Sequence, residues 1–119
     1  SKHYLSKFMT RNNLIDIYET YSEYDIKPDV VGFIKDNKEF VFIEAKVGPI
    51  ELKNIGQLLG YCYIAKPKLA FIISPEYPSG NLIKTLEFNK ELLKYSKDSY
   101  IKIGVWKEKE KNVEILYPK

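Results

Sequence analysis

The sequence predicts an α/β domain: a mixed central sheet flanked by helices, closing on a C-terminal helix and β-hairpin. Three observations predict it. Residues 29–35 (DVVGFIK) and 38–47 (KEFVFIEAKV) are β-rich runs separated only by Asp36-Asn37. Residues 68–74 (KLAFIIS) form an almost unbroken apolar strand, the pattern of one buried on both faces. Between these lies a stretch with helical period, so strand, helix and buried strand follow one another as in a right-handed crossover.

The remaining elements follow in order. Tyr4, Leu5, Phe8 and Met9 recur at helical spacing over residues 2–11, and Asn12-Asn13 ends that helix. Residues 14–20 read as a strand, and Lys27-Pro28 resets the backbone to an extended form. Asp and Asn tolerate the left-handed conformations of a two-residue hairpin turn, so Asp36-Asn37 joins its flanking runs as a hairpin. Gly48-Pro49 stops the second of these strands, and Pro49 suits the first turn of a helix reaching about Ala65. Pro, Ser and Gly make 75–81 a loop. Leu82, Ile83, Leu86 and Leu93 then mark a helix over roughly 82–95, and strands over 100–107 and 113–117 close the chain. The order is α-β-β-β-α-β-α-β-β.

At 119 residues the chain fits one domain, residues 1–119. A content of 45% hydrophobic residues fills a core at this length and excludes general disorder. No apolar run approaches the roughly 20 residues of a membrane span. No basic stretch followed by an apolar one opens the sequence, and Cys62 is the sole cysteine, which excludes a disulfide framework. The expected setting is the cytoplasm. The net charge of +3 is the balance of 19 basic against 16 acidic residues, and of the basic ones Arg11 alone is arginine. Phosphate contacts would fall to lysine, and bidentate arginine readout of guanine is not expected to be the main recognition device.

Chemistry concentrates at one end of the first hairpin. With Asp36-Asn37 as a two-residue loop, Lys35 faces Lys38, so the numbers of facing residues sum to 73 and Asp29 lies opposite Glu44. Lys46 is on the same face as Glu44, because strand side chains alternate. Opposed positions hold their Cβ atoms roughly 4.5–5.5 Å apart. Two carboxylates that close repel each other unless a cation lies between them, and a divalent metal with oxygen ligands such as Mg²⁺ removes the penalty. Glu44 and Lys46 are embedded in a run that otherwise reads as core, where charged groups are rare unless paired or metal-bound. The plainer alternative is a structural ion pair at a strand end. A second Glu-x-Lys, Glu51-Leu52-Lys53, opens a helix and has no facing aspartate.

In this arrangement, Pro28-Asp29 followed by Glu44-Ala45-Lys46 at the end of an apolar strand resembles the signature of the PD-(D/E)XK nuclease superfamily. Gln57 and Tyr61 on the next helix are similar to the Gln-x-x-x-Tyr element of its RecB-like members. The resemblance spans roughly residues 14–74 and implies a restriction-endonuclease-like αβββαβ core. It implies a metal-dependent deoxyribonuclease: Asp29, Glu44 and the main-chain carbonyl of Ala45 as ligands of Mg²⁺, with Mn²⁺ able to substitute. Lys46 would orient or deprotonate the attacking water or stabilise charge on the phosphate. Many relatives carry a further acid on the first helix. Residues 2–11 contain none, which leaves Glu19, Glu23 or a residue outside the sequence to supply it.

On the helix after the hairpin, Leu52, Ile55, Leu58, Leu59 and Cys62 fall on one arc, while Lys53, Gln57 and Tyr61 form a polar ridge of successive i,i+4 neighbours. That ridge could contact a DNA backbone or be an ordinary solvated face; for Gln57, nearest the metal site, the resemblance implies a part in catalysis. Gly56 and Gly60 disfavour a helix interior, so the expectation is that another backbone approaches them closely. His3 reads as a surface residue. The second functional reading is a DNA-binding or assembly module on the same fold with weak or lost catalysis. The substrate expectation is structure-selective or weakly sequence-selective cutting, since little room remains for a recognition domain. Symmetric cutting of two strands calls for a homodimer. Tyr100 and Trp106, opposite Ile101, Ile103 and Val105, are its expected aromatic patch.

Overall fold

A computed structural model of the chain describes residues 14–16, 30–34 and 39–119. Among the described residues the elements follow in the order β1 (Leu14–Asp16), β2 (Val30–Ile34), β3 (Phe40–Ala45), α1 (Leu52–Ala65), β4 (Leu69–Ser74), α2 (Gly80–Phe88), β5 (Lys94–Ser96), β6 (Ser99–Lys107) and β7 (Asn112–Tyr117). The helix expected over 2–11 and the Asp36-Asn37 turn lie outside the described residues. The strands form one mixed sheet in the order β1-β2-β3-β4-β6-β5, with β7 also paired to β6. β1, β2 and β3 are successively antiparallel, whereas β4 runs parallel to β3 and β6 parallel to β4.

The two crossovers explain where the helices lie. β3-α1-β4 and β4-α2-β6 step across the sheet in the same direction, so a common hand carries both helices to one face. Ile55, Leu58, Leu59 and Cys62 of α1 and Leu82 and Leu86 of α2 accordingly share a core with Phe42, Ile72, Ile101 and Ile103 of the strands. Val41, Ile43, Phe71, Ile73 and Trp106 make a second cluster, contributed by the alternate residues of the same strands. The expectation of helices on both faces is therefore not met among the described residues: α1 and α2 lie together. Both faces of β3 and β4 are nonetheless buried, which is why these strands read as continuous apolar runs.

Three boundaries differ from expectation. Pro49 precedes α1 rather than opening it: Ile50 is fully buried in extended chain, and the Glu51 N–H donates to Asn54 Oδ1 at 2.9 Å where the helix begins. Leu52 is consequently half-exposed rather than part of the core arc. The helix expected over 82–95 stops at Phe88, after Ser79 has capped its start by accepting from the Leu82 N–H at 3.2 Å. Leu93 is buried, but from a turn that feeds β5.

The aromatic patch expected for a dimer does not form. Trp106 is 3% exposed, packs with the second cluster, and donates its indole N–H to Glu108 Oε2 at 2.6 Å. Tyr100 packs against the helix-side core. The homodimer expectation thereby loses the surface on which it rested.

Gly104 packs closely against β7 in the β6-β7 hairpin. A Cβ there would lie 2.7 Å from Val113 Cγ1 and 3.3 Å from Ile115 Cδ1. Val113 is β-branched and packed against the second cluster, so it has little freedom to retreat. Gly104→Ala is expected to destabilise the fold by about 1–3 kcal/mol in urea titrations, the usual cost of overpacking. An unchanged midpoint would show that the hairpin shifts freely.

Candidate functional site

β3, β4 and β6 are parallel, so their carboxyl ends share one edge of the sheet, the edge at which open α/β sheets place ligands. Glu44 and Ala45 end β3 there, Lys46 follows, and Ser74 and Lys107 end β4 and β6. Phe40 and Phe42 pack on the α1 side, and alternation carries Glu44 to the same side. Its residue is only 9% exposed, a carboxylate sunk into the end of an apolar strand. The negative charge reaches α1: burial first, and then Glu44, push the Cys62 thiol up from 9.0 to about 12.

Lys46 is half-buried one step beyond Ala45, and its N–H donates to the Ile73 carbonyl at 2.8 Å. Pro75 has no N–H for a further rung, so the two chains part here. The loops that follow are fastened to each other. Ser74 Oγ donates to the Gly48 carbonyl at 2.7 Å and accepts from the Glu76 N–H at 3.0 Å, while the Ser79 N–H donates to the Ile50 carbonyl at 3.0 Å. Ser74 is a fully covered polar clamp between the loops after β3 and β4. The sequence reading missed it, and its only signal was a hydroxyl closing an apolar strand.

The β2-β3 register pairs Val30 with Ile43, Val31 with Phe42, Gly32 with Val41 and Phe33 with Phe40. Each pair sums to 73, the parity of a two-residue loop and the parity from which the Asp29–Glu44 opposition was argued. Asp29 itself lies outside the described residues. Among the described residues no group of three or more His, Cys, Asp or Glu side chains is positioned to hold a metal.

The ridge on α1 is only partly as expected. Lys53 and Gln57 are exposed, whereas Tyr61 is half-buried against the core. The Gln57 side-chain amide donates to Tyr61 Oη at 3.2 Å, so these two are joined along the helix. Among the described residues no backbone comes within 4 Å of a Cβ placed at Gly56 or Gly60. The close approach expected from these glycines is thus absent, and Gly56→Ala and Gly60→Ala should each stabilise the protein by about 1 kcal/mol through helix propensity alone. Thermal melts check this, and a lowered melting temperature for either variant would contradict it.

Comparison with models of protein families, with curated proteins and with solved structures returns no match for this chain. No helix among the described residues is long and apolar enough to cross a membrane.

Proposed function

We propose that this chain is a metal-dependent deoxyribonuclease with a restriction-endonuclease-like core, hydrolysing DNA phosphodiester bonds at the carboxyl edge of β3. The observation that carries the reading is Glu44: a buried carboxylate near the end of an apolar strand, with Lys46 two residues on, in a strand whose pairing with β2 has the parity of a two-residue loop. Three antiparallel strands, a helix and a fourth strand parallel to the third support the fold assignment.

The donors suit a hard divalent cation, since Glu44 and Asp29 offer carboxylate oxygens and Ala45 a main-chain carbonyl. When bound, Mg²⁺ or Mn²⁺ would polarise the phosphate and acidify water. The chain's own residues do the rest. Lys46 holds an ammonium near the attacked phosphate, where it orients water and offsets developing charge. Lys53, Gln57 and Tyr61 present donors and an aromatic edge along which a DNA backbone is held.

The test is incubation with linear, circular, single-stranded and branched DNA plus Mg²⁺ or Mn²⁺. Cleavage of at least one substrate is expected, lost in Asp29→Ala and Glu44→Ala. No cleavage of any substrate, or cleavage by both variants at the parent's rate, overturns the reading. DNA binding that persists without divalent ions and without either carboxylate would favour a non-catalytic binding module.

A further inference from the structure

We propose that Tyr77 is a stacking platform for an unpaired DNA nucleotide beside the Glu44–Lys46 edge, which makes single-stranded or frayed DNA the preferred ligand. This rests on the nuclease reading for its substrate class but not for its geometry. Tyr77 is a large aromatic at 56% exposure, in the loop that leaves the carboxyl end of β4. It is held rather than free. Lys107 Nζ donates to its hydroxyl at 2.8 Å and lies 4.8 Å from its ring centroid. Lys107 is in turn fixed by Glu114 at 3.3 Å, and these two contacts, with Tyr77 the stronger, raise its pKa and keep it charged.

The loop is also stiff. Pro75 and Pro78 flank Glu76-Tyr77, and the Ser74 and Ser79 hydrogen bonds to Gly48 and Ile50 tie both its ends to the loop after β3. Lys107 alternates with Ile101 and Ile103, which belong to the helix-side core, so the ring is anchored from the sheet face that carries Glu44. β6 lies two strands from β3, about 10 Å at ordinary strand spacing. That is a short reach for a strand whose phosphate sits at Glu44 and Lys46. An exposed ring has no packing role that would need such restraint, whereas a pre-set ring near lysines is what a base requires for stacking without sequence readout.

The experiment is fluorescence anisotropy with labelled oligo-dT and with a blunt duplex of equal length, in EDTA, so that cleavage plays no part. The parent is expected to prefer oligo-dT. Tyr77→Ala should weaken oligo-dT binding by about tenfold or more and blunt-duplex binding by less than about threefold, the loss of one stacked base. Tyr77→Phe and Tyr77→Trp keep a ring but lose the hydroxyl that Lys107 holds, so they should bind oligo-dT between the parent and Tyr77→Ala, with unchanged circular dichroism for all three. The proposal is overturned if Tyr77→Ala binds oligo-dT like the parent, if it loses both ligands equally, or if the parent does not bind oligo-dT. A parent that binds in this pattern yet cuts nothing with Mg²⁺ or Mn²⁺ sinks the nuclease reading and leaves the platform standing.

Discussion

Replacing Lys46 with methionine is expected to lower kcat on DNA by about 10²–10⁴-fold while leaving KM within a few-fold, because a positioned proton-transfer or charge-stabilising group acts on the transition state. That range corresponds to about 3–5 kcal/mol of barrier. Methionine keeps the length and the apolar stem of the side chain and removes only the ammonium. The main-chain N–H of residue 46, which donates to the Ile73 carbonyl, is untouched, so β3 and β4 stay paired. Lys46→Arg should fail to restore the rate, since a planar fork cannot take the place of a compact point charge beside a small nucleophile. Single-turnover cleavage with Mg²⁺ at saturating enzyme separates this from weakened binding. A methionine variant that cuts within about threefold of the parent would remove Lys46 from the chemistry.

Much of the sheet was legible because its signals are local and redundant. The Asp36-Asn37 dipeptide implied a loop length and the loop length a parity, and the β2-β3 register has that parity at every described pair. The last strands were bounded by a charged turn and came out within one residue, as β6 and β7. The failures share a physical cause. Leu82, Leu86 and Leu93 satisfy helical period, yet Leu93 reaches the core from a turn after Asn89, and period alone does not say how an apolar side chain arrives there. Phe88, 92% exposed at the end of α2, falls off that periodic face. Pro49 was compatible with a helix start, but Ile50 had to be buried first, and tertiary packing outweighed the local preference.

The candidate site divides in the same way. Glu44 and Lys46 were found because charge inside an apolar strand is costly and therefore informative. The Ser74 clamp and the Tyr77–Lys107–Glu114 group were not found, because their members come from β4, β6, β7 and a loop, and no spacing in the sequence joins them. Trp106 shows the opposite error. Alternation assigned it to the second face correctly, but alternation does not reveal that this face is buried, with Val41, Ile43, Phe71 and Ile73 beside the ring. Gly56 and Gly60 were read as sites of close approach from their cost in a helix. The open space around them leaves that cost without a packing reason.

Raising the pH from 8 to 11 is expected to unfold this protein at progressively lower urea concentration, with two buried acids responsible for most of the loss. Burial, then the charge of Glu44, raise the Cys62 thiol from 9.0 to about 12. Burial, then Cys62, raise the Tyr95 phenol from 10.0 to about 12, against a smaller lowering by Ser99. Tyr95 is 4% exposed and donates its hydroxyl proton to the Pro67 carbonyl at 2.8 Å, a bond the phenolate cannot make. Above pH 9 the unfolded chain releases protons that the folded chain retains, so the unfolded state binds fewer and stability falls with pH. The contribution is complete below about pH 9 and is lost as pH climbs toward 12. At 1.36 kcal/mol per pKa unit the losses by pH 11 are about 3 kcal/mol for Cys62 and about 1.4 kcal/mol for Tyr95, large against the usual 5–15 kcal/mol of a domain. Trp106, the one tryptophan and a buried one, reports the transition by fluorescence. Cys62→Ala and Tyr95→Phe should each start less stable at pH 7, through a small cavity and a lost hydrogen bond, yet decline less steeply above pH 9. Glu44→Gln should flatten the slope in part, because removing that charge lets the thiol titrate earlier. Slopes that stay parallel to the parent's in all three variants would show that other groups drive the alkaline loss.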